Sequence, residues 1–186
     1  MIHALLIIIL TQVNTAETAE QDVWKLLVEQ PVSTIEAPPD LLGDQWKFSP
    51  GMRIENLQDL KTLPVSQQKI AAALAAQLSP LGIRSCADYT FVKKGFPLDT
   101  ITVRLFLFEN AAQCRAWWAK KYQYAGWEKH YEPVKSGETV AVDSLQVNKR
   151  AIAFGNVWFT TQKLQKGREH LTVADFILDQ LLEKQP

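Results

Sequence analysis

The residues that could carry chemistry fall into three groups: histidines among carboxylates, a pair of cysteines, and a run of aromatics. His130 stands between Glu128 and Glu132 in E-K-H-Y-E, and on a strand these alternate positions share one face. Such a set could act as acid, base or metal ligand. Polar alternation is also what the solvated face of an edge strand carries, and that alone accounts for the pattern. Ser136 or Ser144 with His130 and Asp143 offers the residue types of a nucleophilic triad, with no spacing that demands one. His130 and His170 lack H-x-x-H and H-E-x-x-H spacing, so a surface or partly satisfied histidine is expected for each and no metal site is expected. Also missing are G-x-S-x-G, G-x-x-x-x-G-K and G-x-G-x-x-G, hence no nucleophile elbow, P-loop or dinucleotide fingerprint. No cofactor is expected.

The aromatics are the more unusual feature. Trp117, Trp118, Tyr122, Tyr124 and Trp127 crowd into a short stretch. Adjacent helical residues point about 100° apart, so Trp117 and Trp118 cannot both lie centrally on a buried stripe. Ala111, Cys114, Trp118 and Tyr122 are spaced for the core, leaving Trp117 and Tyr124 nearer the surface. Exposed Trp and Tyr offer large contact area and a polar handle, so Trp117, Tyr124 and Trp127 are the candidate ligand-binding residues. The alternative is a helix buried on both faces.

Cys86 and Cys114 are the only cysteines. A bridge between them would remove about 3–4 kcal/mol of unfolded-state entropy. Two buried thiols fit equally well, since free Cys is among the most buried residue types. With no C-x-x-C, a thioredoxin-like catalyst is not expected.

The chain of 186 residues is 47% apolar and 22% charged, with 20 basic against 20 acidic residues. That composition builds a core and excludes a disordered tail. Zero net charge argues against a protein organised around nucleic acid phosphates. Charge is divided along the chain: 6 basic against 10 acidic residues over 1–92, and 14 against 10 over 93–186. The apolar run Ile2–Leu10, followed by T-Q-V-N-T-A, reads as a signal peptide cut after Ala16, against a buried N-terminal strand or helix. It is under half of the about 20 residues that span a bilayer, so no stable transmembrane anchor is expected. The localisation read from it is periplasmic or secreted.

These residues need elements to position them. Residues 21–30 carry Val23, Trp24, Leu27 and Val28 at helical spacing, ended by Pro31. Residues 31–63, with Pro38, Pro39, Gly43, Pro50 and Gly51, read as irregular wrapping with short extended pieces. A helix is expected from Ser66 to Leu78, with Val65 and Ile70 as a hydrophobic staple and an Ile70, Leu74, Leu78 stripe. Strands follow at 89–92 and 100–108, the second apolar on both rows and so central. Next come a helix at 111–125, capped by Gly126, and strands at 127–132 and 139–142. A hairpin follows, its strands 150–154 and 157–162 turning at Gly155-Asn156, and then a last helix with Thr172 as N-cap and Val173, Phe176, Ile177 and Leu181 inward. The order predicts an α+β fold, a mainly antiparallel sheet packed with helices. The expected organisation is a signal peptide at 1–16, an N-terminal helix and wrapping segment at 17–65 and an α+β core at 66–186, one domain overall.

The stretch I-T-V-R-L-F-L-F-E-N-A-A-Q-C-R-A-W-W, residues 101–118, resembles the strand-to-helix unit of an exported bacterial family of unknown function, and A-I-A-F-G-N-V-W-F, residues 151–159, is similar to that family's closing hairpin. The order of elements also resembles the PsbP/Mog1-like antiparallel α/β/α sandwich over about residues 40–183. The resemblance implies a fold and carries over no catalytic residues. The function expected is that of an exported non-catalytic binding or accessory domain, its partner a protein, a glycan or a small ligand. An unrecognised hydrolase with a site near His130 is the alternative.

Overall fold

The computed structural model describes residues 32–122, 128–134, 137–144 and 148–183, with side chains for 32–121 and 148–183. The expected signal peptide and the helix at 21–30 lie outside the described residues, as do Ser136 and the capping Gly126.

Period-two stretches build the sheet. Strands β1 (Trp46–Ile54), β2 (Ile83–Lys93), β3 (Phe96–Phe108), β4 (Glu128–Val134), β5 (Gly137–Ser144), β6 (Lys149–Phe154) and β7 (Val157–Lys163) pair antiparallel in the order β1-β2-β3-β7-β6-β5-β4. The β6–β7 hairpin turns at Gly155-Asn156, with Gly155 at φ 54°, where the missing Cβ removes the left-handed penalty. Asn156 also fastens the hairpin to β3. Its backbone carbonyl accepts from the Phe108 amide at 2.8 Å, and its Nδ2 donates to the Phe108 carbonyl at 3.0 Å.

Three helices cover the two faces: α1 (Val65–Leu78), α2 (Ala111–Tyr122) and α3 (Glu169–Glu183). Strand alternation sorts the core into two layers. Tyr89 and Phe91 of β2, Ile101, Val103 and Leu105 of β3 and Phe159 of β7 meet Val173, Ile177 and Leu181 of α3 on one face. Phe106 and Phe108 of β3 and Trp158 of β7 meet Ala71 of α1 and Cys114 and Trp118 of α2 on the other. Helices on both faces of an antiparallel sheet make an α+β fold of three layers, and β3 is covered on both rows as its sequence predicts.

The structure departs from the sequence reading at several places. The wrapping segment contributes β1, a nine-residue edge strand. Pro50-Gly51 does not end it, because the register shift between Pro50 and Arg53 forms a bulge, and proline is tolerated on an edge. Helix α1 starts at Val65 behind Pro64, and the staple is not made: Val65 is 83% and Ile70 57% exposed. Its inward stripe is Ala71, Leu74, Ala75 and Leu78, because the small alanines let the helix approach the sheet. Helix α3 starts at Glu169, so Thr172 lies inside its first turn and is not the N-cap.

Candidate functional site

Between α1, α2 and the strands β1, β2, β3 and β7 lies a cavity of about 290 Å³, at the lower end of small-ligand pockets. Its aromatic wall follows from the pleat. Phe106 and Trp158 are register partners on neighbouring strands, and their rings stack with centroids 5.0 Å apart and planes 29° from parallel. Trp117 of α2 stands edge-on to both, 6.0 Å from each. Met52, Leu74 and Leu78 complete the apolar lining. The indole nitrogens of Trp117 and Trp158 are buried and have no hydrogen-bond partner. An unmade bond of this kind costs about 1–3 kcal/mol.

Charged residues also line this cavity. Arg104 lies two residues before Phe106 on the same row of β3, its side chain exposed, and lines the cavity. Lys121, one helical turn beyond Trp117, holds its ammonium 5.3 Å over the Trp117 ring. Neither cation forms an ion pair among the described residues. Lys149 of β6 belongs to the same field: burial lowers its pKa first, and Lys121 and Arg104 lower it further. The lining carboxylate, Asp88, is the cross-strand partner of Arg104, and its Oδ1 accepts from the Met52 amide at 2.5 Å. Gly51 makes this approach possible, since a Cβ there would lie 2.5 Å from the Asp88 carbonyl oxygen.

Cys86 also lines the cavity. The fold holds Cys86 and Cys114 as two buried free thiols, the second of the two sequence readings. The Cys114 Sγ turns to the Val157 carbonyl at 3.5 Å. Burial pushes the Cys86 thiol up to about 11, with Asp88 adding to the shift, and pushes Cys114 to about 12. Both stay protonated near neutral pH, so neither supplies a nucleophile there. Folded protein at about pH 8 should therefore resist iodoacetamide and take up two labels once unfolded. The unfolded chain ionises first, so stability should fall as pH rises from about 9 towards 11. Rapid labelling of the folded protein would contradict this.

Of the candidate residues, Trp118 is 8% exposed and belongs to the core, whereas Trp117 is half-buried and leans into the cavity. Tyr124 and Trp127 lie outside the described residues. The backbone of His130 is on β4, the edge strand farthest from the cavity, paired with Ala141, while Glu128 pairs with Asp143. His170 is buried on α3. Among the described residues no group of three His, Cys, Asp or Glu could hold a metal ion. Sequence reasoning missed Arg104, Asp88, Lys121 and Trp158. The available signal was a charge at Arg104 in a row otherwise made of Thr102, Phe106 and Phe108.

No family model matches the chain, and no curated protein matches it. Among solved structures it is similar to the crystal structure of the extracellular domain of PknH from Mycobacterium tuberculosis, at 14% identity and a TM-score of 0.42, over 83% of this chain and 98% of that one.

Proposed function

We propose that this chain is an exported, non-catalytic binding domain whose ligand sits in the cavity beneath α2. One observation carries the reading: a cavity walled by the rings of Phe106, Trp117 and Trp158 and lined also by Arg104 and Lys121. A preformed apolar recess with a few convergent polar groups is the usual form of a small-molecule site. Its titratable groups suit binding more than reaction, since Cys86 stays a thiol and Asp88 is tied to the Met52 amide. Export is supported by the apolar run at residues 2–10, and no helix among the described residues is long and apolar enough to cross a membrane.

Titration with the neutral fluorophore N-phenylnaphthylamine tests the site. Saturable binding of one equivalent is expected, lost in Gln77→Trp, which plugs the mouth from an exposed position on α1. Absence of saturable binding, or binding that survives the plug, would overturn the reading.

A further inference from the structure

We propose that the ligand of this cavity is a small amphipathic anion, a flat apolar body bearing one carboxylate, sulfonate or phosphate, with the body against Phe106, Trp117 and Trp158 and the anionic group between Arg104 and Lys121. The inference rests on the cavity being a ligand site and adds the chemical class of what enters it.

The two parts of such a molecule match two parts of the cavity. Stacked and edge-on rings form a slab-shaped apolar wall, which suits a planar body by offset stacking and edge contacts. Two cations line the same cavity. Arg104 presents a planar fork of donors from a rigid central strand, the group best matched to a carboxylate or phosphate. Lys121 is held over the Trp117 ring as a second point charge, and it lines the same cavity.

The remaining groups facing this space are Asp88, Cys86 and Gln77. Asp88 is the one carboxylate in the described lining, and its Oδ1 is already committed to the Met52 amide. Cys86 is a neutral thiol and Gln77 an uncharged amide, so the balance at the mouth is positive. The depressed Lys149 amine, lowered in part by Lys121 and Arg104, reports the same concentration of positive charge from β6. An anion placed there would meet two cations lining the same cavity, whereas a neutral ligand of the same shape would gain only the apolar contacts.

The test compares anilinonaphthalene sulfonate with N-phenylnaphthylamine, which shares its rings and lacks the sulfonate. At about 50 mM salt the anion should bind at least about tenfold more tightly, and the preference should shrink as added salt screens the exposed cations. The double variant Arg104→Gln with Lys121→Gln, at two exposed positions, should bind the two probes with equal affinity, losing the preference for the sulfonate. Gln77→Trp should abolish both. Equal affinity of the two probes for the wild type would overturn the anion assignment and leave the cavity reading standing. If neither saturates, or the sulfonate still binds the plugged variant, both fall.

Discussion

Replacing Lys163 by Met is expected to cost about 3–5 kcal/mol, the usual penalty for removing one partner of a buried ion pair. Lys163 is only 1% exposed at the end of β7. Its ammonium is bound by the Asp99 carboxylate, lies 3.7 Å from Glu169 at the start of α3, and stands 4.8 Å over the Trp46 ring of β1. Asp99 also faces Lys93 at 3.9 Å. One side chain thus joins the first residues of β3, the edge strand β1 and the helix on the far face. The variant should melt roughly 6–20 °C below the parent, given about 2–4 °C per kcal/mol at this size. Lys163→Met combined with Asp99→Leu should recover part of the loss, because the Asp99 carboxylate no longer faces a missing ammonium, while the Glu169 carboxylate still does. Urea unfolding of the single and double variants decides this. A single variant within about 1 kcal/mol of the parent would show that the cluster is not a structural tie.

The adjacent tryptophans should separate stability from binding. Trp118, 8% exposed in the layer with Cys114 and Phe108, should cost about 3–5 kcal/mol when truncated to Ala. Trp117→Ala removes a half-buried ring and its edge contacts with Phe106 and Trp158, and should cost about 1–2 kcal/mol. The same change should lower affinity for N-phenylnaphthylamine at least about tenfold, since it removes one wall of the cavity. Denaturant curves and probe titrations on both variants check the pair. Equal destabilisation by the two, with probe affinity unchanged in Trp117→Ala, would make Trp117 an ordinary core residue.

The parts of the fold that could be read from the chain are those where local pattern and tertiary burial agree. The end of β3 from Leu105 to Phe108 is apolar on both rows because both are covered there, the Gly155-Asn156 turn closes a hairpin, and Val173, Ile177 and Leu181 face the sheet from α3. Where the two disagree, the reading failed. Pro50-Gly51 looks like a turn, yet an edge strand absorbs both through a bulge. Val65 and Ile70 have the spacing of a staple, but α1 packs through Ala71 and leaves both exposed. The 100° offset between Trp117 and Trp118 correctly separates a core residue from its neighbour, yet it cannot say that the outer ring leans on Phe106 and Trp158. That contact depends on β7 pairing with β3, across a separation of about 50 residues. Arg104 and Asp88 become neighbours through the β2–β3 register, and Lys121 joins them only when α2 folds back over the sheet.

A nuclear magnetic resonance titration of the tryptophan indole N–H signals with anilinonaphthalene sulfonate shows whether the cavity beneath α2 takes the probe. Trp117 and Trp158 line the cavity, whereas Trp46 lies in the opposite core layer under α3. The Trp117 and Trp158 signals should move together and saturate at one equivalent, with Trp46 unmoved. Shifts centred on Trp46, or Trp117 and Trp158 signals that stay in place while the probe binds, would contradict it.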